Sequence, residues 1–145
     1  MTSLTTEEIK ACIPHRSPFL WLDEVTELDN NHLVAKKYLP EDLDIFAGHY
    51  PDFPVFPGVL QQEACFQGGA VLIAKTADMS DGKVPVITRV NNVQFRRMVR
   101  PGDTIEVTVE LTEQLSNAFY MKAKVTVEGK VTARLEFVAT AAPSA

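Results

Sequence analysis

Between Pro57 and Ala74 the only charged side chain is Glu63. Around it Val59, Leu60, Ala64, Phe66, Ala70, Val71, Ile73 and Ala74 cover more than one stripe of a helix, the pattern of a helix surrounded by protein. A carboxylate there is strongly disfavoured unless it is paired, protonated or hydrogen-bonded, so Glu63 reads as an acid with a task. The alternative is a glutamate that reaches the surface between Gln62 and Gln67 or caps the helix. His49 follows Gly48 and precedes Tyr50-Pro51 in the loop that feeds this helix. A loop histidine by itself is more often exposed or structural than a base. Here Pro51, Pro54 and Pro57 stiffen the loop and would hold an imidazole near the helix start at low entropic cost. Gly58, in the first turn, offers an unhindered backbone N–H at the positive end of the helix dipole, a suitable donor to a carbonyl gaining negative charge. Base, acid and oxyanion donor thus fall in one segment.

The elements that must position them follow from pattern. Residues 3–12 open with hydroxyl residues and two glutamates and predict a short capped helix that Pro14 stops. Apolar residues from Phe19 to Leu28 predict a strand with an irregular start, turning at Asn30-Asn31 into a second strand, His32–Leu39. Pro40–Pro57 reads as an extended, stiff loop, and Pro57 to about Thr76 as the long helix. Val84–Phe95 predicts another strand. Strict alternation then follows in Ile105–Thr112, Met121–Glu128 and Val131–Phe137, with turn signals at Pro101-Gly102, Ser116-Asn117 and Gly129-Lys130, so these strands run antiparallel. The small-residue tail, Ala139–Ala145, is expected to fray.

The chain has 145 residues, 46% of them hydrophobic and 23% charged, the balance of one globular domain over residues 1–145 that builds its core without disulfides. Cys12 and Cys65 are too few for a disulfide framework, and Cys65 reads as packing. The net charge of −5 argues against a nucleic-acid partner. The opening MTSLTTEEIK lacks the pattern of a signal peptide, and no apolar run is long enough for a membrane span, so a cytoplasmic location is expected. His15 and His32 read as structural or exposed. No histidine has a cysteine or carboxylate at metal-ligand spacing, and no nucleotide or phosphate fingerprint is present. Chemistry without a cofactor is expected.

Three stretches, PHRSPFLWLDEV (14–25), GHYPDFPVFPGVLQQEACFQ (48–67) and NNVQFRRMVRPGD (91–103), resemble the hot-dog-fold 3-hydroxyacyl-acyl-carrier-protein dehydratases of type II fatty acid synthesis, in order and spacing over nearly the whole chain. The resemblance implies an α+β hot-dog fold, an antiparallel sheet wrapped around one long central helix. It implies dehydration of a (3R)-hydroxyacyl thioester to the trans-2-enoyl thioester. In that family the histidine of G-H-[FY]-P acts with a helix carboxylate fourteen residues later, which matches His49 and Glu63. Gly58 takes the place of the glycine whose N–H receives the thioester carbonyl, and Val59 follows it. Family members are dimers with each site shared between two subunits, often assembled into trimers of dimers. Arg96, Arg97 and Arg100 resemble the face on which the acidic carrier protein docks; read alone, they equally suit a solvated strand end that keeps an edge from pairing. HYPDFP departs from the family in carrying Phe53 where a second histidine is usual, and Asp52 in place of a glycine; Gln61-Gln62 replaces a more apolar pair. Two other classes stay open from sequence: a hot-dog acyl thioesterase, against which the preceding His49 speaks, and a non-catalytic acyl-binding subunit.

Overall fold

The computed structural model describes residues 2–79 and 82–143. Helix α1 (Thr6–Cys12) starts on a reciprocal cap in which the Thr5 hydroxyl accepts from the Glu8 N–H and the Glu8 carboxylate accepts from the Thr5 N–H. A strand starting at Phe19 is not formed. Strand β1 (Glu24–Leu28) begins five residues later because backbone groups of Phe19 and Trp21 are bound by a side chain of the central helix. Strand β2 (His32–Tyr38) returns along β1. The stiff loop expected over 40–57 contains one short helix, α2 (Asp44–Gly48), so that His49 stands at a helix C-terminus. Then come α3 (Gly58–Thr76), β3 (Lys83–Phe95), β4 (Thr104–Leu115), β5 (Ala118–Val127) and β6 (Lys130–Pro143).

The strands form one antiparallel sheet in the order β1-β2-β4-β5-β6-β3. The β4–β5 turn sits at Ser116-Asn117 as read from sequence. The β5–β6 turn is displaced by one residue to Glu128-Gly129, where both residues take positive φ (50° and 79°), as a two-residue hairpin that follows the strand twist requires. Residues 139–143 do not fray, since β6 pairs with β3 as far as Pro143; residues 144–145 lie outside the described residues.

Alternation places Ile105, Val107 and Val109 of β4, Met121 and Val125 of β5, and Leu135 and Phe137 of β6 on the buried face. Helix α3 lies across that face, the hot-dog arrangement. Two glycines let it approach. A Cβ on Gly68 would stand 3.1 Å from Val109, and one on Gly69 would stand 2.9 Å from both Met121 Sδ and the Phe137 ring. Phe137 is itself pinned edge-on against Phe66 with ring centroids 5.2 Å apart. Gly69→Val should therefore lower the unfolding free energy by about 1–3 kcal/mol through overpacking. Urea denaturation checks this, and an unchanged midpoint would show that Met121 and Phe137 can give way freely.

Candidate active site

His49 caps α2, its backbone N–H donating to the Ile45 carbonyl. Its ring Nδ1 lies 2.7 Å from the Val55 carbonyl oxygen. A carbonyl only accepts, so Nδ1 carries the hydrogen, and Nε2 is left as the basic nitrogen. The loop that achieves this turns at Tyr50, which takes a left-handed φ of 57°, and the Phe53 N–H donates to the Tyr50 carbonyl. Phe56 then drives into the core with no exposure, packing edge-on to Trp21 at 5.2 Å, while its N–H bonds the Val99 carbonyl at 2.7 Å.

Pro57 precedes α3 and provides no side-chain cap. The first N–H groups of the helix to find a backbone acceptor are those of Leu60 and Gln61, both on the Pro57 carbonyl. The N–H groups of Gly58 and Val59 therefore head a 19-residue helix at its positive end. The Phe95 ring lies over Gly58 so closely that a Cβ there would be 2.7 Å from its Cε1, and any side chain at this position would have to displace that ring. Val59 is exposed in the single chain.

Glu63 lies one turn further on, with its side chain 22% exposed. Its Oε2 accepts from Gln67 Nε2 at 3.0 Å. Gln67 is completely buried, and its second N–H donates to the Phe19 carbonyl while its Oε1 accepts from the Trp21 N–H, both at 2.8 Å. Every hydrogen-bonding group of that amide except one lone pair is used. The Trp21 N–H can only donate, which forces Oε1 toward it and Nε2 toward Glu63. His15 completes the group, its Nε2 standing 3.6 Å from Glu63 Oε2. A cavity of about 130 Å³ opens beside them, with His15 and Glu63 at its polar end and Phe66, Ala70, Pro85, Ile87 and Ala139 as apolar lining.

The chain thus brings Glu63 together with His15 and Gln67, not with His49; within one chain no hydrogen bond or ion pair joins His49 to Glu63. From sequence His15 reads as structural or exposed and Gln67 has no role at the site, whereas both stand against Glu63. The available signal was a polar residue four positions after Glu63 on an apolar helix, where i and i+4 share a face. The arginines separate as well. Arg96 and Arg97 border a groove of about 410 Å³ together with Lys130 and Arg134, whereas Arg100 is withdrawn from it, its guanidinium 3.8 Å above the Phe53 ring. Cys65 is fully buried, and burial pushes its thiol well above the ordinary range, so it is packing rather than a nucleophile.

The sequence pattern of the FabA-like domain family matches residues 13–136. A 3-hydroxyacyl-acyl-carrier-protein dehydratase FabZ of Clostridium perfringens is 38% identical over 128 residues, spanning 88% of this chain and 91% of that protein. A FabZ of Rickettsia massiliae is 39% identical over 133 residues, 91% and 92% of the two chains. Among solved structures, the dehydratase heterocomplex ApeI:P of Xenorhabdus doucetiae superposes with a TM-score of 0.78 at 16% identity over 94% of this chain and 91% of that one. A thioesterase of Pseudomonas aeruginosa superposes with a TM-score of 0.74 at 15% identity over 96% and 94%. Both structures are similar in fold.

Proposed function

Because the chain belongs to the FabA-like domain family, we propose that it dehydrates (3R)-hydroxyacyl thioesters carried on acyl carrier protein to trans-2-enoyl thioesters, as a step of fatty acid biosynthesis in the cytoplasm, with residues 1–145 acting as one dehydratase domain. The observation that carries the reading is a complementary pair of half-occupied groups. His49 has Nδ1 taken and Nε2 free, and Glu63 has Oε2 taken and Oε1 free.

In this mechanism the thioester carbonyl accepts from the Gly58 N–H, with Val59 beside it, which stabilises the enolate-like oxygen. His49 Nε2 takes a proton from C2, the C2–C3 double bond forms, and the C3–O bond breaks as Glu63 gives its carboxyl proton to the departing hydroxyl. Enoyl thioester and water leave. The imidazolium then holds the proton the carboxylate has lost, and its return resets the site. The apolar end of the cavity beside Glu63 suits the acyl chain beyond C3.

Two features support a homodimer, and assembly into trimers of dimers is compatible with it. Strand β3 is an outer strand of 13 residues that exposes Val84, Val86 and Val90, and on α3 the positions 59, 63, 66 and 70 form a stripe that is not fully buried. An open edge and an apolar stripe call for a partner, and the shared site that the family resemblance implies would pair the Glu63 of one chain with the His49 of the other. The groove bordered by Arg96, Arg97, Lys130 and Arg134 follows directly on Phe95 above Gly58. That placement supports docking of an acidic carrier protein next to the thioester site, with Arg100 instead holding the Phe53 ring.

His49→Ala and Glu63→Gln should each reduce turnover of a (3R)-hydroxyacyl thioester by at least about 10²-fold with folding intact, followed by enoyl absorbance alongside a free-thiol readout. Thiol release without enoyl formation would make the protein a thioesterase instead. Sedimentation at micromolar concentration should show no folded monomer; a stable monomer would leave Glu63 without its His49. Reversing Arg96 and Arg97 to Glu should raise KM for carrier-linked substrate and barely change it for a pantetheine substrate, and salt should imitate the reversal, since exposed charges are screened beyond about 8 Å at physiological ionic strength. Equal losses on both substrates would place these arginines in the fold rather than at a docking face.

A further inference from the structure

Gln67 does not fix Glu63 by itself. One hydrogen bond to Oε2 leaves the carboxyl group able to swing about its broad terminal torsion, and either oxygen could then meet substrate. A second group stands against the same oxygen: His15 Nε2 lies 3.6 Å from Glu63 Oε2, with only 28% and 22% of the two side chains exposed. That separation exceeds a formed hydrogen bond and is of the kind that tightens when substrate fills a site.

Which nitrogen of His15 carries the hydrogen follows from the surroundings of the other. Nδ1 is buried and has no hydrogen-bond partner among the described residues. A hydrogen there would be a buried donor with nothing to bond, whereas a hydrogen on Nε2 leaves only an unshared lone pair at Nδ1, the lesser penalty. The ring is therefore set to donate from Nε2 toward Glu63. Its place is held from two sides. The Arg16 guanidinium donates to the carbonyls of Lys10, Ile13 and His15 at 2.7–3.0 Å, and the imidazole stacks along Phe19 with centroids 6.5 Å apart and planes 20° from parallel.

We propose that His15 is a positioning residue for Glu63: with Gln67 it occupies Oε2, so that Oε1 is the oxygen that gives its proton to the C3 hydroxyl. This rests on the dehydratase reading of Glu63 above. His15→Phe keeps an aromatic ring against Phe19 and removes the donor, and His15→Gln keeps a donor. With a (3R)-hydroxyacyl thioester, His15→Phe should lower kcat by about 10- to 100-fold, the scale of a misplaced catalytic group, at unchanged KM. His15→Gln should recover part of the loss. In a Glu63→Gln background His15→Phe should add nothing, because it acts through the same carboxyl. If His15→Phe does not fold by circular dichroism, His15→Ala with added imidazole replaces it, with rescue expected and absence of rescue overturning the proposal. A normal kcat for His15→Phe, or a loss that multiplies onto that of Glu63→Gln, also overturns it. Normal turnover of Glu63→Gln alone is a different failure, since it removes the dehydratase role of Glu63 itself.

Discussion

The buried amide of Gln67 is the joint on which the rest of the site is hung. It is one of few buried polar side chains in the core, and it ties two segments 46 residues apart by binding the Trp21 N–H and the Phe19 carbonyl. Each such bond contributes about 1 kcal/mol net, while leaving its partners buried and unpaired would cost about 1–3 kcal/mol each. The consequence is structural before it is chemical. With those backbone groups taken, residues 19–21 do not pair in the sheet and the chain passes the middle of α3 at Gln67 instead, joining β2 from Asp23, whose N–H donates to the Lys36 carbonyl. Trp21 is thereby placed against Phe56, and Phe56 is the anchor of the loop that carries His49. One amide thus holds one oxygen of the Glu63 carboxyl and seats the imidazole loop through two aromatic rings.

That loop holds its histidine by combining strain with restraint. Tyr50 in the left-handed region is unfavourable for a residue with a Cβ, and the cost is offset by the Val55 carbonyl on His49, the Phe53 N–H on Tyr50 and the buried Phe56 ring. Arg100 adds a cation–π contact over Phe53, worth about 0.5–1 kcal/mol at an exposed site. Its own backbone is steadied by its N–H donating to Asp103. Phe53, a departure from the usual family pattern, therefore has a local role: it links the loop to the connection between β3 and β4.

Strand periodicity and the apolar wrap of α3 made the sheet and its central helix readable from sequence, because alternation and helical repeat report burial directly. The failures share another cause. The late start of β1, the pairing of residues 139–143 and the contacts of His15 and Gln67 all depend on partners far away in the chain, about which local propensity is silent. Helix α2 hid because Asp44–Gly48 is too short to show a period. Arg96, Arg97 and Arg100 looked like one cluster because they are neighbours in sequence, yet β3 ends at Phe95 and the chain turns between them. Lys130 and Arg134 join the first two only through strand pairing of β3 with β6.

The surfaces proposed above to meet a second copy are those that flank the cavity beside Glu63. Strand β3 ends at Phe95, which covers Gly58, and it contributes Pro85 and Ile87 to the wall of the cavity beside Glu63. The stripe of α3 left partly uncovered by the sheet contains Glu63 itself. A monomer could blunt such an edge with charge or proline and cover the stripe with polar residues. Charge at the exposed Val84 and Val86 would spare the opposite face of the strand, whose Pro85 and Ile87 line the cavity, but polar residues along the α3 stripe would take Phe66 and Ala70 from that same wall. The α3 stripe and the cavity wall therefore cannot be altered independently: in the dimer proposed above, a change that suits the stripe to solvent also removes apolar lining beside Glu63, so association and activity should fall together.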